Sequence, residues 1–168
     1  DSDARLQIEV EGAMNRGRRS GFQLTEGLAY FVTQPISFTA AEWTEVLAPL
    51  KTLPISKFVV KDRASGTSDG SLLQALGGLF PDLKVLSEWE GLAEDRVREL
   101  LPEFLVGVTS TTLFNMALRN SSIKVISLAR QVKRVSENPS FPLRGIPTFT
   151  DHQLKALESI PVGQVTLW

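Results

Sequence analysis

The chain has 168 residues, 42% of them hydrophobic and 22% charged, which fits one globular domain with a core large enough to fold alone. Its formal net charge of −1 argues against a general nucleic-acid binder, because neutralising phosphates needs a basic excess that this chain lacks. The sequence contains no cysteine and a single histidine, His152, so disulfides, thiolate nucleophiles and metal sites with two histidines are excluded. No apolar stretch approaches the ~20 residues of a membrane span, and no signal peptide is visible.

Residues 1–21 are polar and mixed in charge, with Arg16, Arg18 and Arg19 close together. This composition predicts a short helix or a tether, and phosphate binding by the arginines is the alternative. Because the chain begins with Asp1, we expect that upstream sequence has been removed. Residues 22–168 are predicted to form one α/β domain.

Apolar runs alternate with stretches of helical spacing through the rest of the chain. The apolar runs predict strands over residues 28–36, 56–61, 83–86, 103–108 and 123–127, with a short terminal strand over residues 163–168. One predicted helix opens on the capping box formed by Thr39 and Glu42, and others cover residues 72–79, 92–101, 111–119 and 151–160. A basic run follows the fifth strand, and the three prolines of residues 138–147 predict an extended loop.

The alternation of strands and helices predicts the fold class. Strands joined by helices at this spacing imply right-handed crossovers and a largely parallel sheet covered on both faces. The expected fold is therefore a Rossmann-like α/β three-layer sandwich. A glycine-rich dinucleotide fingerprint after the first strand and a phosphate-binding P-loop are both missing from the sequence, so a dehydrogenase or a P-loop enzyme is disfavoured.

The main candidate site is the hydroxyl-rich turn of Thr109, Ser110, Thr111 and Thr112, which follows a buried strand and opens a helix. A helix that begins where a parallel strand ends offers free backbone N–H groups and the positive end of its dipole. Hydroxyl groups at that place suit a phosphate. The alternative is that one of these residues only caps the helix, as Ser and Thr often do.

Four charged residues at other strand ends are further candidates. Lys61 and Arg63 come at and after the end of the second strand, where they could contact a phosphate or form surface salt bridges. Glu88 and Glu90 follow the third strand, where they could bind ribose hydroxyls or remain solvated loop acids. The sequence thus offers a candidate phosphate site with two cations and two carboxylates nearby, and no reaction.

Several other residues favour a structural interpretation. Asp62 and Asp69 lack any spacing typical of a metal site, so no metal is expected. His152 lies early in the last predicted helix, where a capping or solvent-facing role is favoured over catalysis. Trp43 and Trp89 are predicted to belong to the core.

The runs FPDLKVLSEWE, LPEFLVGVTSTTLFNMAL and IKVISL resemble the carboxyl-terminal, donor-nucleotide half of bacterial sialyltransferases and polysialyltransferases of the GT-B type. The resemblance covers roughly residues 30–128, and the VTQP sequence at the end of the first strand is also similar to the family. It implies a GT-B half-domain in which the Ser-Thr turn holds the donor phosphate of a CMP-sugar. The implied reaction is transfer of sialic acid to a glycan acceptor.

The sequence also departs from that family. The family has a His-Pro pair after the second strand, whereas Asp62, Arg63 and Ala64 follow Lys61 here. The family's general base lies on an amino-terminal domain, for which this chain has no room. Two hypotheses follow for these departures: Lys61 or Arg63 replaces the histidine as the cation at the leaving phosphate, or the domain binds without turnover.

Two functions therefore stay open. The first is the donor half of a CMP-sugar-dependent glycosyltransferase, which needs an acceptor domain or a second chain and whose catalytic residues are unknown. The second is a non-catalytic Rossmann-like domain that binds a nucleotide or a protein. Neither requires a cofactor, a metal, nucleic acid or a transmembrane segment. The expected location is the cytoplasm, with a peripheral position at the inner membrane as the alternative.

Overall fold

A computed structural model of the chain describes residues 23–34, 36–62, 70–88, 90–119, 122–138, 155–156, 158–159 and 165–168. Outside these ranges lie the tether predicted for residues 1–21 and most of the helix predicted for residues 151–160. The loop predicted for residues 138–147 also lies outside them, except for its first residue. Arg63, Asp69, Trp89 and His152 do so as well.

Six strands form one sheet in which every neighbouring pair is parallel. The strands are β1 (Thr25–Val32), β2 (Lys57–Lys61), β3 (Lys84–Glu88), β4 (Pro102–Gly107), β5 (Lys124–Ser127) and β6 (Val165–Leu167). Their spatial order is β3-β2-β1-β4-β5-β6. The predicted Rossmann-like α/β fold with a parallel sheet is confirmed.

Five α-helices connect these strands within the described part of the chain. They are α1 (Ala40–Leu47), which continues into a 3-10 helix (Ala48–Thr52), α2 (Gly70–Leu79), α3 (Ala93–Leu100), α4 (Thr111–Leu118) and α5 (Ala129–Glu137). None of the helices in these ranges is long and apolar enough to cross a membrane.

Helices cover both faces of the sheet, which gives the predicted three layers. On one face, residues of α1, α2 and α5 pack in a single cluster with Phe31, Phe58 and other inward residues of the central strands. On the other face, residues of α3 and α4 pack against Tyr30 and Leu105. Because successive strand residues point to opposite faces, the continuous apolar runs of β1 and β4 supply both clusters.

Helix α1 begins as its sequence predicts. The Thr39 hydroxyl accepts a hydrogen bond from the Glu42 amide at 3.2 Å, and the Glu42 carboxylate accepts one from the Thr39 amide at 3.1 Å. This capping box satisfies two amides that a helix start leaves without partners. Trp43, on the next position, is only 1% exposed, which confirms its predicted place in the core.

The strands differ by one to four residues from their predicted limits. Strand β1 differs most: it begins three residues before the predicted start at residue 28 and ends at Val32, four residues before the predicted end. Strand β3 extends to Glu88, so this residue ends the strand instead of following it. Strand β4 covers Pro102–Gly107 and so begins one residue before its predicted start; a proline is tolerated as the first residue of a strand because its missing N–H is not needed there.

The basic run after β5 lies on helix α5, and the sequence predicted no helix there. The N-cap residue, Leu128, makes no side-chain cap, but the Ser127 hydroxyl accepts from the Ala129 amide at 3.3 Å. The backbone oxygen of Trp168 accepts hydrogen bonds from the next two amides, those of Arg130 and Gln131, at 2.8 and 3.2 Å. Two of the three capped amides therefore depend on a distant part of the chain, which no local motif could reveal.

Candidate functional site

The carboxyl ends of β1 and β4 form the crevice at which open parallel sheets commonly bind ligands. These strands are neighbours, yet β1 leads to α1 on one face of the sheet and β4 leads to α4 on the other. The connections therefore diverge and leave a gap between the strand ends, a topological switch point. The hydroxyl-rich turn predicted from the sequence lies on one side of this gap.

Gln34 bridges the gap from the β1 side. Its carboxamide nitrogen donates to the Thr109 hydroxyl at 2.9 Å, and its carboxamide oxygen accepts from the Thr109 amide at 2.5 Å. Thr109 is buried, with 4% of its surface exposed. One backbone N–H of the candidate turn is thus already bonded to a neutral oxygen of the same chain.

The rest of the turn combines a helix cap with exposed polar groups. The Ser110 hydroxyl accepts from the Thr112 amide at 3.3 Å, so Ser110 is the N-cap of α4. Thr112 is buried, whereas Thr111, the first residue of the helix, is exposed. The Thr111 amide has no acceptor among the residues that the structure describes. The cap and a candidate anion site therefore coexist in one turn.

Lys61 lies apart from this turn. It ends β2, and β1 stands between β2 and β4, so the two strand ends are separated by roughly 10 Å across the sheet. The Lys61 ammonium donates to the backbone oxygen of Glu90 at 3.2 Å. The structure therefore groups Lys61 with the acids after β3, and Arg63, its predicted companion, lies outside the described residues.

Glu88, at the carboxyl end of β3, belongs to a tight polar cluster. Arg96, on α3, donates to both Glu88 carboxylate oxygens, at 2.8 and 2.9 Å. Tyr30, which is fully buried, donates its hydroxyl to the same carboxylate at 3.2 Å. Arg96 also pairs with Glu99 one turn later on α3. The carboxylate oxygens of Glu88 are thus largely committed to side chains of this chain.

The cluster shifts the titration of its members. Burial by itself raises the pKa of Glu88, but the hydrogen bonds and charge of Arg96, the Tyr30 hydroxyl and the charge of Lys61 together lower it below its usual value. Burial, followed by the charge of Glu88, raises the pKa of Tyr30 well above its ordinary value. The hydrogen bond to Glu88 likewise raises the pKa of Arg96. Glu88 is therefore ionised and Tyr30 neutral at neutral pH.

An open pocket of about 390 Å³ adjoins this cluster, lined by Ser87, Glu88, Glu90 and Arg96. The Ser87 hydroxyl donates to the Asp62 side chain at 2.9 Å. The described residues contain no group of three or more acidic or histidine side chains that could hold a metal ion. The expected absence of a metal stays a prediction.

Sequence reasoning missed three residues that shape these two places. Gln34 appeared only within the VTQP run, and Tyr30 only as part of a buried strand. Arg96 appeared only as part of the helix predicted over residues 92–101. Their partners lie 75, 58 and 8 positions away in the chain. Pairing of β1 with β4 aligns Phe31 with Val106, and extending that register sets Gln34 opposite Thr109; knowing the strand order would have revealed this contact.

Taken together, the described residues define an open Rossmann-like α/β domain with a hydroxyl-bearing helix start at its switch point. The chain matches no known protein-family model and no curated protein. The proposed function therefore rests on the fold and on the geometry at the carboxyl ends of the strands.

Proposed function

We propose that this chain is the donor-nucleotide half of a glycosyltransferase of the sialyltransferase type and that it binds the phosphate of a CMP-sugar at the turn from Thr109 to Thr112. The observation that carries the proposal is the position of this turn at the switch point between β1 and β4. An anion there meets the exposed Thr111 hydroxyl, the Thr111 amide and the positive end of the α4 dipole.

The proposed reaction is the inverting transfer of a sialic acid to a hydroxyl of a glycan acceptor. The bond between the sugar and the phosphate oxygen breaks, and the phosphate leaves with CMP while the acceptor oxygen bonds to the sugar carbon. The turn stabilises the negative charge of the leaving phosphate. A general base on a missing acceptor domain or a second chain takes the acceptor proton. In the parent protein this reaction would take place in the cytoplasm or at the inner membrane.

The charged residues after β2 and β3 receive secondary roles in this proposal. Arg63 or Lys61 supplies the cation that the family's histidine would provide; Lys61 must leave the Glu90 carbonyl to reach a phosphate at the turn. The Glu90 carboxylate is better suited to a ribose hydroxyl than that of Glu88. Glu88 already accepts from Arg96 and Tyr30. If Lys61 contacts the phosphate, Lys61→Ala should weaken nucleotide binding by about 1–3 kcal/mol, the range for a charge-assisted hydrogen bond.

Titration calorimetry with CMP, UMP, cytidine and inorganic phosphate tests the proposal. CMP should bind more tightly than cytidine, since only CMP carries the phosphate. The double variant Ser110→Ala with Thr111→Val should remove most of that difference. It also removes the cap of α4, so its stability should fall by about 1 kcal/mol.

Thr39→Ala is the matched control because it removes the cap of another helix, α1. This variant should lose comparable stability and bind CMP as the unaltered chain does. Equal loss of CMP binding in both variants would mean that the effect comes from destabilisation. If no nucleotide binds at millimolar concentration, the glycosyltransferase proposal for this chain must be dropped.

The second candidate function is a non-catalytic Rossmann-like domain that binds a partner protein or a regulatory nucleotide. The specific observation in its favour is that Gln34 already bonds the Thr109 amide, while Ser110 uses its hydroxyl as a cap. An anion would have to share or displace these contacts. Tight CMP binding that depends on Thr111 would argue against a partner-protein domain, whereas a domain for a regulatory nucleotide would bind CMP and transfer no sugar.

A further inference from the structure

Strand β3 forms one edge of the sheet, and no strand in the described part of the chain pairs with its outer side. It has five residues, whereas β6 at the opposite edge has three. An edge strand presents a row of backbone N–H and C=O groups that another strand can pair with. β3 is thus the longer of the two edges and the better template for such pairing.

The backbone direction of β3 can be read from one hydrogen bond. The Glu88 carbonyl accepts from the Asp62 amide at 2.6 Å, so the backbone polar groups of Glu88 face the β2 side. These groups alternate in direction along a strand. The N–H and C=O groups of Val85 and Ser87 therefore face outward, where they are available to a further strand.

Three side chains on one face of β3 carry opposite charges at the two ends of the strand and an apolar group at its centre. Lys84, Leu86 and Glu88 alternate along the strand, with a cation at one end and a carboxylate at the other. Leu86 is 38% exposed, which is unusual for a large apolar side chain in this protein. Lys84 is exposed and makes no ion pair with any described residue. The Glu88 carboxylate is held in a fixed position by Arg96.

We propose that β3 pairs antiparallel with β3 of a second copy of this chain, with the twofold axis at Leu86. Val85 of each copy then exchanges both backbone hydrogen bonds with Ser87 of the other. Leu86 faces Leu86 of the second copy as a non-hydrogen-bonded pair, in which side chains are closest. Lys84 of each copy lies opposite Glu88 of the other, so each exposed cation comes near a carboxylate that it shares with Arg96.

A second copy fits this edge because a twofold interface must be complementary to itself. The order of a cation, an apolar residue and a carboxylate along β3 meets that condition when the strand is reversed. A contact of one short strand buries much less than the ~1,600 Å² of a standard interface, so the dimer is weak. Strand β2 separates this edge from the switch point between β1 and β4, so dimer formation does not depend on nucleotide binding.

Site-directed cross-linking tests the register. The chain has no cysteine, so one introduced thiol can react only with the same thiol of a second copy. In the proposed dimer the Leu86 Cα atoms are about 4.5 Å apart, within the range that a disulfide spans. Leu86→Cys should therefore give a covalent dimer under mild oxidation. Lys84→Cys is the matched control on the same strand, because its two copies would be roughly 13 Å apart.

Sedimentation equilibrium tests the charge pattern without cross-linking. The unaltered chain should show a reversible dimer at about 200 µM, a concentration suited to a small interface. Lys84→Glu places like charges opposite each other at both ends and should weaken the dimer about tenfold. Lys51→Glu makes the same charge change at an exposed residue of the 3-10 helix and should leave the dimer unchanged.

Three outcomes would overturn the inference. The first is a monomer at all concentrations up to about 200 µM in the unaltered chain. The second is equal cross-linking by Leu86→Cys and Lys84→Cys, which would indicate random collisions. The third is a dimer that persists unchanged in Lys84→Glu, which would place the interface elsewhere. Circular dichroism of each variant verifies that the fold is intact.

Discussion

Replacing Arg96 by Gln removes the positive charge that holds the Glu88 carboxylate. In the structure the guanidinium makes two hydrogen bonds to this carboxylate, at 2.8 and 2.9 Å, and pairs with Glu99 as well. The side chains of Arg96 and Glu88 are 31% and 25% exposed, so water screens part of the interaction. Tyr30 would remain as a donor to Glu88 after the substitution.

The expected loss of stability follows from this partial burial. A net contribution of about 1.5–3 kcal/mol is typical of a hydrogen bond to a charged group in a protein interior, while exposed ion pairs contribute about 0–1 kcal/mol. The geometry here is bidentate but partly solvated, so it lies between these limits. We expect Arg96→Gln to lower the free energy of unfolding by about 1–2 kcal/mol at neutral pH.

The same substitution should change the pH dependence of stability. The pKa of Glu88 is lowered in the folded protein from an ordinary value of 4.5. Its contribution is therefore fully present above the ordinary value and is lost as the pH falls through the lower, folded value. The stability difference between Arg96→Gln and the unaltered chain should be constant from neutral pH to about pH 5 and should shrink in more acidic solution.

Urea unfolding, followed by circular dichroism across this pH range, measures both effects. Arg134→Gln is the matched control, because Arg134 is about half exposed and 3.9 Å from Glu45. This control should change the free energy of unfolding by less than about 0.5 kcal/mol at any pH. Equal losses in the two variants, or a loss in Arg96→Gln that persists in acid, would refute the reasoning.

Three further stability predictions can be checked by the same urea titrations. Tyr30→Phe removes a buried donor to Glu88 and should cost about 1–2 kcal/mol; no change would mean that the 3.2 Å contact contributes nothing. Gly27→Ala should cost at least about 1–2 kcal/mol, because φ is +74° there and the new Cβ would lie 2.2 Å from the Ser56 hydroxyl; a neutral result would contradict this backbone conformation. The buried indole nitrogen of Trp43 has no hydrogen-bond partner in the described structure. Trp43→Phe should therefore cost less than about 2 kcal/mol, since removing the unsatisfied donor offsets part of the lost packing, and a loss of 3–5 kcal/mol would show that packing alone decides the outcome.

Local patterns in the sequence determined the elements of this fold. Continuous apolar runs predicted five strands of the sheet and a short sixth one, because a strand buried on both faces has no polar alternation. The capping box of Thr39 and Glu42 marked the start of α1, since its two hydrogen bonds join residues only three positions apart. The turn from Thr109 to Thr112 was likewise predicted as a helix start. Such signals come from residues close together in the sequence, so they can be recognised without knowing the fold.

The sequence predicted only part of the candidate site. The hydroxyl turn could be named because its residues are consecutive, but its surroundings could not. Gln34 contacts Thr109 only because β1 and β4 are neighbours, and the order of strands is not encoded in any local pattern. Lys61 was grouped with the turn as a phosphate partner, whereas the sheet sets it beside Glu90, with β1 between it and the turn.

Tertiary structure alone decided the contacts between distant residues. Tyr30 and Glu88 are 58 positions apart and meet because β2 aligns the ends of β1 and β3. The start of α5 is capped by Trp168, which β6 brings beside β5. Polar groups in a folded chain are satisfied by whichever partner packing brings within hydrogen-bond distance. The sequence by itself therefore determined which segments are strands, helices and turns, and the packing of those segments decided which side chains became partners.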